Sequence, residues 1–134
     1  MNDMATKRVL VSSGSPYEPV IGFSRAVRIG NIVTVGGTTA GLGWQESGDR
    51  RSISAGPRHP RDHRPKSLED AGASLKDVIR TRTYLVDIAH WEAVGRVHGE
   101  FFGDIRPASS MLEVSGFISP NWLVEIEADA VISD

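Results

Sequence analysis

Three carboxylates at alternate positions, Glu125, Glu127 and Asp129, are the densest group of chemically able side chains in this 134-residue chain. Side chains alternate along a strand. In Val124-Glu-Ile-Glu-Ala-Asp-Ala-Val the acids therefore share one face, while Val124, Ile126, Ala128 and Ala130 share the other and turn to a core. A carboxyl so placed can carry a proton to or from a reacting atom. The same alternation also describes a solvated strand face, and the pattern alone does not separate the two. A second strand, Arg106-Pro-Ala-Ser-Ser-Met-Leu-Glu-Val, puts Ser109, Met111 and Glu113 on one side and Ser110, Leu112 and Val114 on the other. No base lies within sequence reach of Ser109, so a serine-nucleophile reading lacks its partner and a small polar pocket residue is expected. Arg82 precedes Tyr84 by two residues and shares its face. It could reach a pocket, but a cross-strand ion pair with one of the acids is preferred. Arg106, of opposite parity to Ser109, reads as a surface residue.

Histidine offers little more. His59 and His63 have the i, i+4 spacing that grips a metal on a helix, but Pro57, Pro60 and Pro65 deny that helix and no third ligand is evident. No metal and no cofactor is expected. His90 and His98 read as capping or packing residues of the following helix.

The elements that must position these groups follow from periodicity. Phe23 to Ile29 and Ile32 to Gly36 read as strands joined at Gly30-Asn31, a tight-turn pair. Thr81 to Val86 is a β-branched and aromatic strand. Asp87 to Phe102 is the clearest helix: Trp91, Val94, Val97, His98, Phe101 and Phe102 repeat near helical spacing, and Gly103 ends it. Ser67-Leu-Glu-Asp resembles a capping box that opens a short helix. The order predicts an α+β fold, with helices on one face of a mixed sheet.

Composition bounds the class. Hydrophobic residues at 40%, charged residues at 24% and a net charge of −2 exclude a fibrous or disordered chain, and the length suits one domain, 1–134. No apolar run approaches the length of about 20 residues that a membrane helix needs, and the N-terminus lacks a signal-peptide core. With no cysteine there is no disulfide and no thiolate chemistry, so a cytoplasmic protein is expected. Charge is uneven: 10 basic and 5 acidic residues through Lys66, against 5 and 12 after it. The excess sits in an Arg-, Pro- and His-rich stretch between residues 42 and 66. It has almost no aromatic residue to stack on bases, so nucleic-acid binding is not expected. The stretch is either a rebuilt loop or out-of-frame coding text, and the intact mass of the native protein separates the two.

Several stretches in order resemble the RidA/YjgF/L-PSP family. They are Gly22-Phe-Ser-Arg-Ala-Val-Arg-Ile-Gly-Asn, Val35-Gly-Gly-Thr, Ala71-Gly-Ala-Ser-Leu-Lys-Asp-Val, Thr83-Tyr-Leu-Val-Asp, Phe101-Phe102, Pro107-Ala108 and Val124-Glu-Ile-Glu-Ala. The resemblance implies a chorismate-mutase-like fold, a homotrimer around a central barrel, and a small-metabolite pocket at each subunit boundary. It also implies hydrolysis of reactive enamines and imines such as 2-aminoacrylate. Carried over by position, the water-positioning glutamate is Glu125. The segment lining the substrate is Gly36, Gly37 and Thr38, and the strand aromatic is Tyr84. The pocket tyrosine is replaced by Phe23, and the arginine that forks onto a substrate carboxylate is replaced by Ser109. Serine cannot replace a charge-assisted fork. With Glu113, Glu125, Glu127 and Asp129 on the pocket side, a neutral or cationic ligand is expected instead. A non-catalytic ligand-binding trimer and an RNA-cleaving protein are the alternatives from other classes.

Overall fold

The computed structural model describes residues 7–38, 66–120 and 122–133. His59, His63, the three prolines and the basic residues from Arg50 to Arg64 lie outside them, so the readings made on that stretch stand as expectations.

Six strands form one mixed sheet: β1 (Arg8–Val11), β2 (Ala26–Ile29), β3 (Ile32–Thr38), β4 (Val78–Leu85), β5 (Ala108–Glu113) and β6 (Val124–Val131), in the order β1-β2-β3-β6-β4-β5. Every neighbouring pair is antiparallel except β4 and β5. A parallel pair needs a crossover, and helix α2 (Trp91–Phe102) supplies it. The short helix α1 (Lys66–Asp70) precedes β4. The β2–β3 hairpin turns at Gly30-Asn31 as expected, with Ile29 opposite Ile32 and Gly30 at φ 62.

Boundaries shift for identifiable reasons. Strand β2 begins at Ala26, because Gly22 at φ 87 closes a wide turn over Glu18–Gly22 whose last bond runs from the Phe23 N–H to the Glu18 carbonyl at 3.1 Å. Residues 87–90 are not α-helical. The Asp87 carboxylate accepts from the Ala89 N–H at 2.9 Å and starts a 3-10 turn over Ile88–His90 instead. Strand β1 carries no alternation strong enough to be read from sequence.

Helix α2 buries Val94, Val97, Phe101 and Phe102 on one face of the sheet, against a core that includes Val33, Leu85, Val124 and Ile126. Fully burying one such side chain stabilises the fold by about 1.5–3 kcal/mol. Thr81 and Thr83 stand on this covered face with no exposed surface. The opposite face carries Arg82, Tyr84 and the three acids of β6. It also carries Leu10, Ile29 and Ile32, all exposed, because each is in register with the next open-face row. This α+β architecture is the one the pattern predicts.

Candidate functional site

The register of β3 against β6 slips between Val35 and Thr38, and this irregularity brings Glu125 onto the backbone of Gly37. A Cβ at Gly37 would lie within 2.8 Å of every atom of the Glu125 carboxyl group, so a side chain and the carboxylate cannot both fit. On the other side of the same residue, Arg25 donates from its guanidinium to the Gly37 carbonyl. That guanidinium lies 5.5 Å above the Phe23 ring, within cation–π range. The Gly36 N–H donates to the Arg25 carbonyl at 2.8 Å, and Thr38 Oγ1 donates to the Gly36 carbonyl at 2.9 Å. Phe23, Gly36, Gly37, Thr38 and Glu125 therefore converge around Arg25 and the bulge.

Arg25 is the residue the sequence reading missed. Its signal was available, since Phe23 and Arg25 are two apart in an extended segment and fall on one side. It places a guanidinium beside Glu125 and Gly37, so a preference for neutral or cationic ligands does not follow from Ser109 alone. Burial pushes the Glu125 carboxyl above its ordinary 4.5, the neighbouring Glu127 charge adds to the rise, and Arg25 opposes it. A carboxyl raised in this way holds its proton more tightly than an ordinary one, the kind of shift that acid–base groups show.

The remaining polar groups of this face hold one another. Tyr84 donates its hydroxyl to Glu127, and that bond is the main reason its phenol pKa rises. Arg82 pairs with Asp129 at 3.1 Å, the cross-strand ion pair preferred above, and Thr34 Oγ1 donates to the same carboxylate at 2.7 Å. Arg80 donates to Ser110 at 3.2 Å. Glu113 leaves this group: it sits on the other face of β5, where its carboxylate accepts from the Ile88 N–H at 2.9 Å. The expected acidic pocket side is thus three carboxylates facing Arg25, Arg80 and Arg82.

Ser109 also belongs to the covered face. In register, Glu125 opposes Tyr84 and Tyr84 opposes Leu112, so Leu112 and not Ser109 shares the row of Glu125. Ser109 instead meets Thr81 Oγ1 at 2.9 Å, and the same oxygen lies 2.8 Å from His98 Nε2. Among the described residues Ser109 has no base in direct contact, because β4 places Thr81 between it and the helix histidine. His98 also packs on Phe102, with ring centroids 4.6 Å apart. Arg106 is exposed, as expected, at φ 57. Among the described residues no group of His, Cys, Asp and Glu is placed to hold a metal, and no helix is long and apolar enough to cross a membrane.

A mixed sheet with helices on one face, and a glutamate set against a bulged glycine pair, define a class of small α+β proteins. Residues 13–132 match the family model for Endoribonuclease L-PSP, and the chain belongs to that RidA/YjgF family. A crystal structure from Mycobacterium tuberculosis, described as a member of the highly conserved YjgF/YER057c/UK114 family, superposes with a TM-score of 0.78 at 46% identity. It covers 94% of this chain and all of that one. An uncharacterised Streptomyces coelicolor protein is 36% identical over 97% of this chain and 95% of its own length. The 3-aminoacrylate deaminase RutC of Acinetobacter baylyi is 32% identical over 92% of this chain and 97% of its own.

Proposed function

We propose that this protein is a hydrolytic deaminase of small imines or enamines, with Glu125 as its acid–base group in a pocket completed by neighbouring copies of a homotrimer. The observation that carries the reading is the Glu125 carboxyl, raised in pKa and held against Gly37 with Arg25 close by. As a carboxylate, Glu125 takes a proton from water while the oxygen adds to the imine carbon. As an acid, it returns the proton to nitrogen; it then takes the carbinolamine hydroxyl proton and passes that to nitrogen too, so that the C–N bond breaks to give the carbonyl and ammonia. Such proton transfer contributes about 10²–10⁴-fold. Arg25 is the cation available to an acidic substrate, and the deaminase named among the relatives supports the reaction class.

The trimer is the family expectation, supported by the exposed Leu10, Ile29 and Ile32 on the open face. Sedimentation should return a mass of three 14.5 kDa chains. Ammonia release from a panel of imines generated in situ tests the reaction itself. Turnover lost in Glu125→Gln supports the proposal. No turnover of any imine by the native trimer leaves the non-catalytic ligand-binding reading.

A further inference from the structure

At the β4–β5 margin of the open face stands a guanidinium without an anion. The register of β4 against β6 shifts between Val78 and Arg80, which leaves Arg80 opposite Asp129. Both oxygens of that carboxylate are already engaged, Oδ1 by the Thr34 hydroxyl at 2.7 Å and Oδ2 by Arg82 at 3.1 Å. Glu127 is held by Tyr84. Among the described residues Arg80 therefore forms no ion pair. Its Nε is buried without an acceptor, and its hydrogen bond from Nη2 goes to the neutral Ser110 hydroxyl at 3.2 Å. Taking a charge out of water is costly unless an opposite charge and hydrogen bonds compensate it. A guanidinium can only donate, so Ser110 accepts here and keeps its own hydrogen for another acceptor.

We infer that Arg80 and Ser110 form a binding site for a small oxyanion from outside the subunit, the carboxylate or phosphate group of a metabolite. The guanidinium supplies the charge and a planar set of donors that matches two oxygens, and Ser110 adds a neutral donor beside it. Strand β5 lies at the edge of the sheet, and Ala108, in register with Arg80, is exposed, so the site is open to solutes. It is separate from the Glu125 group. Arg80 precedes Tyr84, the residue opposite Glu125, by four positions, about 13 Å at about 3.3 Å per strand residue. The site uses neither Arg25 nor the covered face, and so it stands or falls apart from the deaminase reading.

Titration of the full-length protein, labelled with nitrogen-15 arginine, tests it. The probes are inorganic phosphate and acetate, at constant ionic strength so that screening does not change. The Arg80 Nε–H signal, assigned by its loss in Arg80→Gln, should shift and saturate. Phosphate should also raise the thermal midpoint of the native protein, and Arg80→Gln should abolish that rise. Arg80→Lys keeps the charge without the fork and should bind more weakly than the native protein. Ser110→Ala should weaken binding by up to about tenfold, and it keeps the test open if Arg80→Gln does not fold. Saturation by phosphate alone, by acetate alone or by both supports the site and tells which oxyanion it takes. No saturable shift with either probe, or a phosphate effect that persists in Arg80→Gln, overturns it. A lower sedimenting mass in Arg80→Gln than in the native protein also overturns it, because a carboxylate of a second copy would then fill the position. None of these readouts needs turnover, so a protein that hydrolyses no imine can still pass, and an active enzyme can still fail.

Discussion

Two glutamates in this molecule have opposite surroundings. Glu18, in the turn after β1, accepts from the Ser13 N–H at 2.8 Å and from Ser13 Oγ at 2.6 Å. Those donors favour the ionised form and hold its pKa at about 2. Glu125, in the middle of the sheet, receives no hydrogen bond among the described residues. Burial and the Glu127 charge favour its protonated form and raise its pKa. One chemical group thus becomes a fixed anion where backbone and hydroxyl donors surround it, and a more readily protonated one where they are withheld. The turn ties its carboxylate into hydrogen bonds, whereas the sheet leaves its carboxyl easier to protonate.

The largest expected departure comes from Glu125→Gln, which should lower kcat for imine hydrolysis by about 10²–10⁴-fold without lowering the thermal midpoint. A loss of fold in that variant would erase the contrast with Glu18. Gly37→Ala comes next. Its methyl group collides with the carboxyl, so Glu125 must move, and a drop in kcat/KM of about 10²-fold is expected, in line with the cost of a misplacement near 1 Å.

Glu18→Gln should do the reverse, lowering the thermal midpoint while leaving kcat unchanged. The pH dependence sharpens the distinction. The Glu18 contribution is complete above its ordinary 4.5 and is lost as pH falls through about 2, so Glu18→Gln should flatten the acid limb of a stability curve. Glu125 has the opposite sign. Its contribution is complete below 4.5 and is lost as pH rises through the raised value, so Glu125→Gln should remove a decline on the higher-pH side. The smallest effect belongs to Arg82→Ala. Its ion pair with Asp129 is about one-third exposed on each partner, and urea unfolding should register a loss of about 1 kcal/mol or less.

Alternation made much of the fold legible. The parity of Val124 to Val131 placed core and acids on the correct faces, and the helical spacing from Trp91 to Phe102 found the crossover. Packing alone decided the rest. Strand β1 is short and finds its place only through pairing with β2. The 3-10 turn at Ile88 arises because the Asp87 side chain competes with the helix for the Ala89 N–H. In the site, Glu125 and the Gly36-Gly37 pair were visible as residues, but their contact depends on a register slip that sequence does not encode locally. The contacts of Arg25 with Gly37 and of Thr81 with Ser109 and His98 were hidden for the same reason. They join residues 12 to 28 positions apart, beyond the reach of any short motif.

Carbon-detected NMR titration of the Glu125 carboxyl, in the native protein and in Glu127→Gln, tests the account most directly. The native midpoint should lie above 4.5, and it should fall toward 4.5 once the neighbouring charge is removed. A native midpoint at or below 4.5 would contradict it, because Glu125 would then be one more solvated anion on an open strand face.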